Sequence, residues 1–429
     1  MRKIPQILFL MWGLSLWPCG LSAQQMAISL DECYAWAREN YPLIRKLDLI
    51  GKSSAYSLAN AGKLYLPQLG INGQASYQSE TVNFSNVMGS FLPEGTPLPQ
   101  LSKDQYRLQA EVSQNIYDAG AVSNQRAYIK ANDSLQRQGL EVSFHVVKER
   151  IDQLFFAIIM LEEQLKQNEI RKGNIESGKQ KMDAALKYGT AFRSNVDELK
   201  AELVNVEMAS IELDANRKAY MQMLGLLVGK EWDKETVLVM PDMPAGAHEI
   251  NRPEVKLYQL QKSLLDVEEK KLRGEYLPRI SAFFQGAYGR PTLNIISNDF
   301  GSWYVGGLRL TWNLGSLYTL KNTRNNLDIS RKNIDADLET FVLNTKMQLK
   351  QQDSDIAKYH LLLQRDEEAI ALRESVRKAA LAQLENGVAT THDYISQLNA
   401  EHLARQTRIL HTVQLLQAQY KQQNISGNH

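Results

Sequence analysis

Two hydrophobic periods take turns along this chain, and the whole succession happens twice. Residues 106 to 116 alternate at period two, with Tyr106, Leu108, Ala110, Val112 and Ile116 on one side and Arg107, Gln109, Glu111, Ser113 and Asn115 on the other. Residues 68 to 77 set Leu69, Ile71, Ala75 and Tyr77 against Gln68, Asn72, Gln74 and Ser76. Residues 303 to 314 set Tyr304, Gly306, Leu308, Leu310, Trp312 and Leu314 against Arg309, Thr311 and Asn313. A fourth stretch, 279 to 289, is blurred by the adjacent Phe283 and Phe284. Period two predicts strands with unlike faces. Elsewhere the period is near 3.5. Ile151, Leu154, Ile158, Leu161, Leu165, Ile175, Met182 and Leu186 hold one register, broken by Asn168, Lys172 and Lys179. Val196, Leu199, Leu203, Val206, Leu213, Tyr220, Leu224 and Leu227 hold another, broken by Ser210 and Arg217, while Val342, Leu349, Ile356, Leu363 and Ile370 recur every seven residues. This is coiled-coil spacing.

The doubling is explicit in the residues. Tyr65-Leu66-Pro67 is matched by Tyr276-Leu277-Pro278, and Tyr77 by Tyr288, in the same order. The pattern predicts a first repeat over 24–230, with a helix at 28–64, strands at 68–78 and 105–117, and a helical hairpin over 120–228. A linker at 231–251 leads to a second repeat over 252–424, with a helix at 252–275, strands at 279–289 and 303–314, and a hairpin over 317–423, then a tail at 425–429. Gly189 and Gly387 mark the hairpin tips, where glycine supplies the positive φ that ends a helix. Ser29-Leu30-Asp31-Glu32 reads as a capping box opening the first helix.

Element lengths narrow the setting. Each alternating stretch is about ten residues, what a tilted strand needs to cross a bilayer, and aromatics gather near the stretch ends as in interface girdles. An ordinary half-buried sheet has the same alternation. The first helix of each hairpin is on the order of 100 Å long at 1.5 Å per residue, wider than a compact domain, so it projects from the strands. Open strand edges in hydrocarbon leave backbone groups unsatisfied, and closed barrels begin at about eight strands. Four strands therefore require a barrel shared among copies, and counting permits a dimer, trimer or tetramer. The expected fold class is mixed α and β: two tandem repeats forming long antiparallel coiled-coil hairpins, plus four strands contributed to a membrane β-barrel shared among copies.

Composition removes several functions. Lys and Arg total 49 against 48 Asp and Glu, for a net charge of +1, and they alternate along helices, so nothing points to nucleic acid. Arg2 and Lys3 followed by an apolar run from 7 to 17 and by Leu21-Ser22-Ala23 predict a signal peptide over 1–23, cut after Ala23. A lipid anchor at Cys19 is disfavoured by the bulky Trp17-Pro18 before it. The mature chain keeps one cysteine, Cys33, expected to be a buried small hydrophobe. No nucleophile motif, phosphate loop or metal-ligand spacing occurs among the 7 histidines, so no enzyme, cofactor or metal is expected.

Taken together these marks resemble the TolC family of outer-membrane efflux proteins over nearly the whole mature chain. Leu30-Asp31-Glu32-Cys33-Tyr34-Ala35 with Asn40-Tyr41-Pro42 resembles the family's opening helix. Tyr65, Pro67, Tyr276 and Pro278 resemble its passage from helix to strand, and Gln114-Asn115-Ile116-Tyr117-Asp118-Ala119-Gly120 its passage back. Leu224-Gly225-Leu226-Leu227-Val228-Gly229 resembles its fourth-helix ending. The two tips, Tyr188-Gly189-Thr190 through Asn195-Val196 and Asn386-Gly387-Val388 through Asp393-Tyr394, resemble its paired hairpin turns. The resemblance implies a homotrimer in outer-membrane lipid with a twelve-strand barrel and a periplasmic helical tunnel. It also implies docking to a periplasmic adaptor and to an inner-membrane pump, proton-driven or ABC, with small molecules passing passively outward. In the family an acidic residue lines the periplasmic aperture six positions after the tip glycine. Asp393 keeps that place and Asn195 replaces it in the first copy. Asp393 in three copies would form a carboxylate ring, or it is a solvated acid at a helix N-terminus. The family's latch tyrosine and arginine correspond to Leu384 and Ala389, which puts that latch in doubt. Two alternatives stay open: the channel of a type I protein secretion system, with the same fold, and a periplasmic coiled-coil adaptor or scaffold. The second fits poorly, because the chain has two hairpins and no room for flanking β domains.

Overall fold

Heptad spacing and the lack of proline let two very long helical hairpins form, and the alternating stretches join them at one end. The computed structural model describes residues 27–428 apart from 83–90, 92, 94–100, 234–235, 245–248 and 295. The expected leader, with Cys19, lies outside the described residues. The strands are β1 (Ala27–Ile28), β2 (Gln68–Tyr77), β3 (Asp104–Tyr117), β4 (Val237–Leu238), β5 (Arg279–Arg290) and β6 (Gly301–Thr311). The helices are α1 (Leu30–Asn40), α2 (Arg45–Lys63), α3 (Ala121–Lys187), α4 (Arg193–Val228), α5 (Pro253–Glu275), α6 (Leu317–Glu385) and α7 (Thr391–Ser426). At 67 and 69 residues, α3 and α6 are each on the order of 100 Å long.

Several expected boundaries are corrected. The single helix over 28–64 is two helices, because Pro42 has no N–H to continue the ladder and Tyr41 before it is extended at φ −63° and ψ 127°. Ala27–Ile28 is instead a strand, paired in parallel with Val237–Leu238 inside the expected linker. The last strand stops at Thr311, so Trp312 and Leu314 fall beyond it and a 3-10 turn covers Leu314–Ser316. Helix α7 continues through Ser426, ended by Gly427 at φ 79°. Ser29 caps α1 as expected, its hydroxyl accepting from the Glu32 amide at 3.3 Å while Glu32 accepts from the Ser29 amide at 2.8 Å. Cys33 is fully buried, which pushes its thiol up to about 12.

Burial concentrates at two levels. One core gathers α1 (Cys33, Ala37), α3 (Ile151, Phe155, Phe156, Ile158), α4 (Leu224, Val228) and α7 (Val413, Leu416). The other lies near the tips, with Ile175, Met182, Val196, Leu199, Leu384, Tyr394 and Leu398. The polar breaks at 168, 210 and 217 meet partners inside the fold. Buried Asn168 donates to the Val206 carbonyl at 2.8 Å and to Ser210 Oγ at 2.7 Å, so the breaks at 168 and 210 satisfy each other. Arg217 spans Glu162, at 2.9 Å, and the Thr236 carbonyl, at 2.7 Å.

Side by side the hairpin helices run α4, α3, α7, α6, leaving α4 and α6 as edges. Both edges expose apolar rows: Val204, Met208, Ile211 and Leu226 on α4, and Ile329, Leu343, Met347, Leu361, Leu372 and Val376 on α6. At 100° per residue each row falls within a sector of about 60°. The sheet repeats this arrangement. Its order is β2-β3-β5-β6, antiparallel throughout, with β2 and β6 as open edges.

Candidate functional site: a two-faced sheet and paired hairpin tips

Register divides the sheet cleanly. Ile71 faces Ala110, Ala110 faces Gly286 and Gly286 faces Tyr304, so these share a face with Leu69, Leu108, Val112, Phe284, Tyr288, Leu308 and Leu310. The opposite face carries Asn72, Gln74, Arg107, Gln109, Glu111, Gln285 and Arg309. This settles the blurred strand: Phe284 belongs to the apolar face and stacks with Tyr304 at 5.8 Å, while Phe283 lies on the polar face under Arg309, whose Cζ is 4.5 Å from the ring centroid. A polar and an apolar face on one open sheet fit water on one side and hydrocarbon on the other. Among the described residues no helix is long and apolar enough to cross a membrane.

The Tyr-Leu-Pro passages work alike in both copies. Pro67 and Pro278 directly precede Gln68 and Arg279, where a missing N–H costs the ladder nothing. The carbonyl of Tyr65 accepts from Gln114 Nε2 at 3.4 Å, and that of Tyr276 from Trp312 Nε1 at 3.1 Å. Each helix end is thereby tied to a neighbouring strand's exit, fixing where helices hand over to sheet.

At the far end, Gly189 (φ 73°) and Gly387 (φ 71°) close the two hairpins in matching turns. Thr190 N–H reaches the Ala185 carbonyl at 2.9 Å, and Val388 N–H reaches that of Gln383 at 2.8 Å. The tips then diverge. Asp393 is the N3 residue of a capping box, its carboxylate accepting from the Thr390 amide at 2.9 Å and the Thr390 hydroxyl at 2.6 Å. The Thr390 hydroxyl bond and then the backbone bond hold its carboxyl below the usual aspartate range. Asn195 instead sends its amide across to Thr391 Oγ1 at 2.8 Å, joining one tip to the other. Tyr394 does not reach the surface; it is 1% exposed and lies against Gly178 in the tip core. Leu384 is buried in the same core. Tyr188, Phe192 and Val388 are exposed at the very ends.

One buried cluster has no signature in the sequence, because its members lie far apart along the chain. Asp152 on α3 accepts hydrogen bonds from the Tyr34 hydroxyl on α1 and the Asn424 amide on α7. Burial drives its pKa up to about 7 against the pull of those two bonds. A protonated Asp152 thus stabilises the fold fully below about pH 4, and that contribution is lost as pH rises through about 7. Lys148 and Glu149 also face it, and nearby His145, pushed down to about 4 by burial, titrates with the opposite sign. The comparison that isolates Asp152 is therefore with Asp152→Asn. Its melting temperature is expected to fall less than the wild type's between pH 5 and pH 8; parallel slopes would remove Asp152 as the titrating group.

Among the described residues no group of His, Cys, Asp and Glu could hold a metal ion. By sequence, no protein-family model matches the chain and no curated protein is similar to it. Solved structures are similar. The outer membrane protein VceC of Vibrio cholerae superposes with a TM-score of 0.66 at 11% identity, over 93% of this chain and 96% of its own. The Campylobacter jejuni outer membrane channel CmeC gives 0.64 at 12%, over 99% and 93%. The open state of the Neisseria gonorrhoeae MtrE outer membrane channel gives 0.63 at 12%, over 93% and 88%. Two of these neighbours are outer membrane channels by name, and the likeness establishes the fold.

Proposed function

We propose that this chain, which has the fold of the TolC-family outer-membrane channels, is the passive exit duct of a tripartite efflux system. The observation that carries the reading is the pairing of a two-faced open sheet with two apolar helix edges. Unlike edges at either side of one subunit join head to tail and close into a ring. The α4 row of one copy meets the α6 row of the next, and β6 meets β2 of the next with the antiparallel alternation kept. Three copies close a twelve-strand barrel whose apolar face meets lipid and whose polar face lines a wet path. The helices continue that path as a periplasmic tunnel, following export by the amino-terminal leader and its cleavage after Ala23.

The tips form the periplasmic mouth. Exposed Tyr188, Phe192 and Val388 offer apolar contact to an adaptor, and an inner-membrane pump supplies the energy. Asp393, repeated by symmetry, rings the aperture with carboxylates kept ionised by their own helix caps. Full-length protein in planar bilayers should conduct ions, and Asp393→Lys should lower its cation preference; unchanged reversal potentials would take Asp393 out of the pore lining. The duty itself is tested in a deletion strain. Sensitisation to small toxic compounds with a normal set of secreted proteins is the expected result, and loss of secreted proteins alone would replace efflux with secretion.

A further inference from the structure

The polar face of the sheet holds two arginine–aromatic pairs that differ in one respect. Arg309 lies over Phe283 and is neutralised, its Nη1 being 3.0 Å from Glu111 Oε1. The other oxygen of Glu111 accepts from Gln285 Nε2 at 2.6 Å. Arg107 lies over the ring of Trp303 at 5.9 Å, is exposed, and makes no hydrogen bond or ion pair with another described residue. Across the strands, this face carries Arg107, Arg279 and Arg309 against Glu111 alone, a surplus of two positive charges per chain. The sheet therefore presents a guanidinium fork with free donors beside an indole, on the side that faces water.

We infer that Arg107 and Trp303 form a binding site for organic anions that carry an aromatic ring. A guanidinium fork matches a carboxylate with two parallel N–H···O bonds, and charge-assisted bonds of this kind are the strong ones. The indole beside it takes the ligand's ring in an offset stack. A cation of the same shape gains the stack and meets like charge. Glu111 disfavours an equivalent second site at Arg309, because its carboxylate already pairs with that guanidinium through Nη1 and would repel an incoming anion. The site sits on the wall of the path proposed above and rests on that reading, and it names amphipathic aromatic anions as a class of cargo held on the way out.

The test uses full-length protein in planar bilayers, with 2-naphthoate and 2-naphthylmethylammonium as probes of matched shape and opposite charge. Naphthoate should reduce the current at a concentration about tenfold lower than the ammonium probe, as expected from one or two charge-assisted bonds. Arg107→Gln should bring the two probes together. Trp303→Leu should weaken block by naphthoate and leave the small-ion selectivity of the open pore unchanged. A conducting pore that responds equally to both probes, or an Arg107→Gln pore that still separates them, overturns the inference and leaves the channel intact. Protein that never conducts overturns the channel reading, and the site with it.

Discussion

Arginine at Leu308 is expected to abolish assembly in the outer membrane, while arginine at Val305 is expected to be tolerated. Both positions lie in β6, three residues apart and so on opposite faces. Leu308 is 71% exposed beside Leu310 on the apolar face, and Val305 pairs with Gln285 on the polar one. Arginine facing lipid near the midplane costs about 2–4 kcal/mol, so three copies cost on the order of 6–12 kcal/mol per assembly. The same residue facing a wet lumen costs little. Membrane fractionation, with a gel shift between unheated and heated samples, reads the outcome. Equal behaviour of the two variants would mean that both faces see the same solvent, and the barrel reading would fall.

Truncating Tyr394 should loosen the proposed periplasmic mouth by about 3–5 kcal/mol, the usual cost of removing a large buried aromatic. Its ring fills the space between the hairpins so closely that a Cβ on Gly178 would lie 3.1 Å from Cε1. Its hydroxyl contributes less, reaching the Asn174 carbonyl at 3.3 Å. Tyr394→Phe is accordingly expected to stay within about 1 kcal/mol of wild type. Tyr394→Ala should raise single-channel conductance and admit larger solutes. If conductance and the urea midpoint are both unchanged in Tyr394→Ala, the tip core does not hold the mouth.

Much of this was legible in the residues because it depends on local periodicity. Alternation placed Leu108, Ala110 and Val112 opposite Arg107, Gln109 and Glu111 without any knowledge of pairing. The glycines at 189 and 387 announced the tips, since a positive φ is a property of single residues. Other features were hidden for an equally physical reason. Whether Phe283 or Phe284 faced the polar side depended on register against β3 and β6, which a run of adjacent aromatics does not encode. Arg107 was visible as a polar-face residue, yet its lack of a carboxylate partner among the described residues emerged only when Glu111 proved to be taken by Arg309. Trp312, read as part of a strand, serves instead to hold the Tyr276 carbonyl.

The hairpin tips show the same division. Sequence alone distinguished Asp393 from Asn195, and capping chemistry explains why Asp393 turns back on its own helix. Only the folded chain put Asn195 within reach of Thr391 and sealed Tyr394 inside, 220 residues from the Asn174 carbonyl it meets. By itself, then, the sequence determined the repeats, the long hairpins and a sheet with unlike faces, because each follows from contacts within one helix turn or one strand pleat. The tertiary structure alone decided which edges stay open and which polar groups are already paired, because those depend on elements that meet only after the chain has folded.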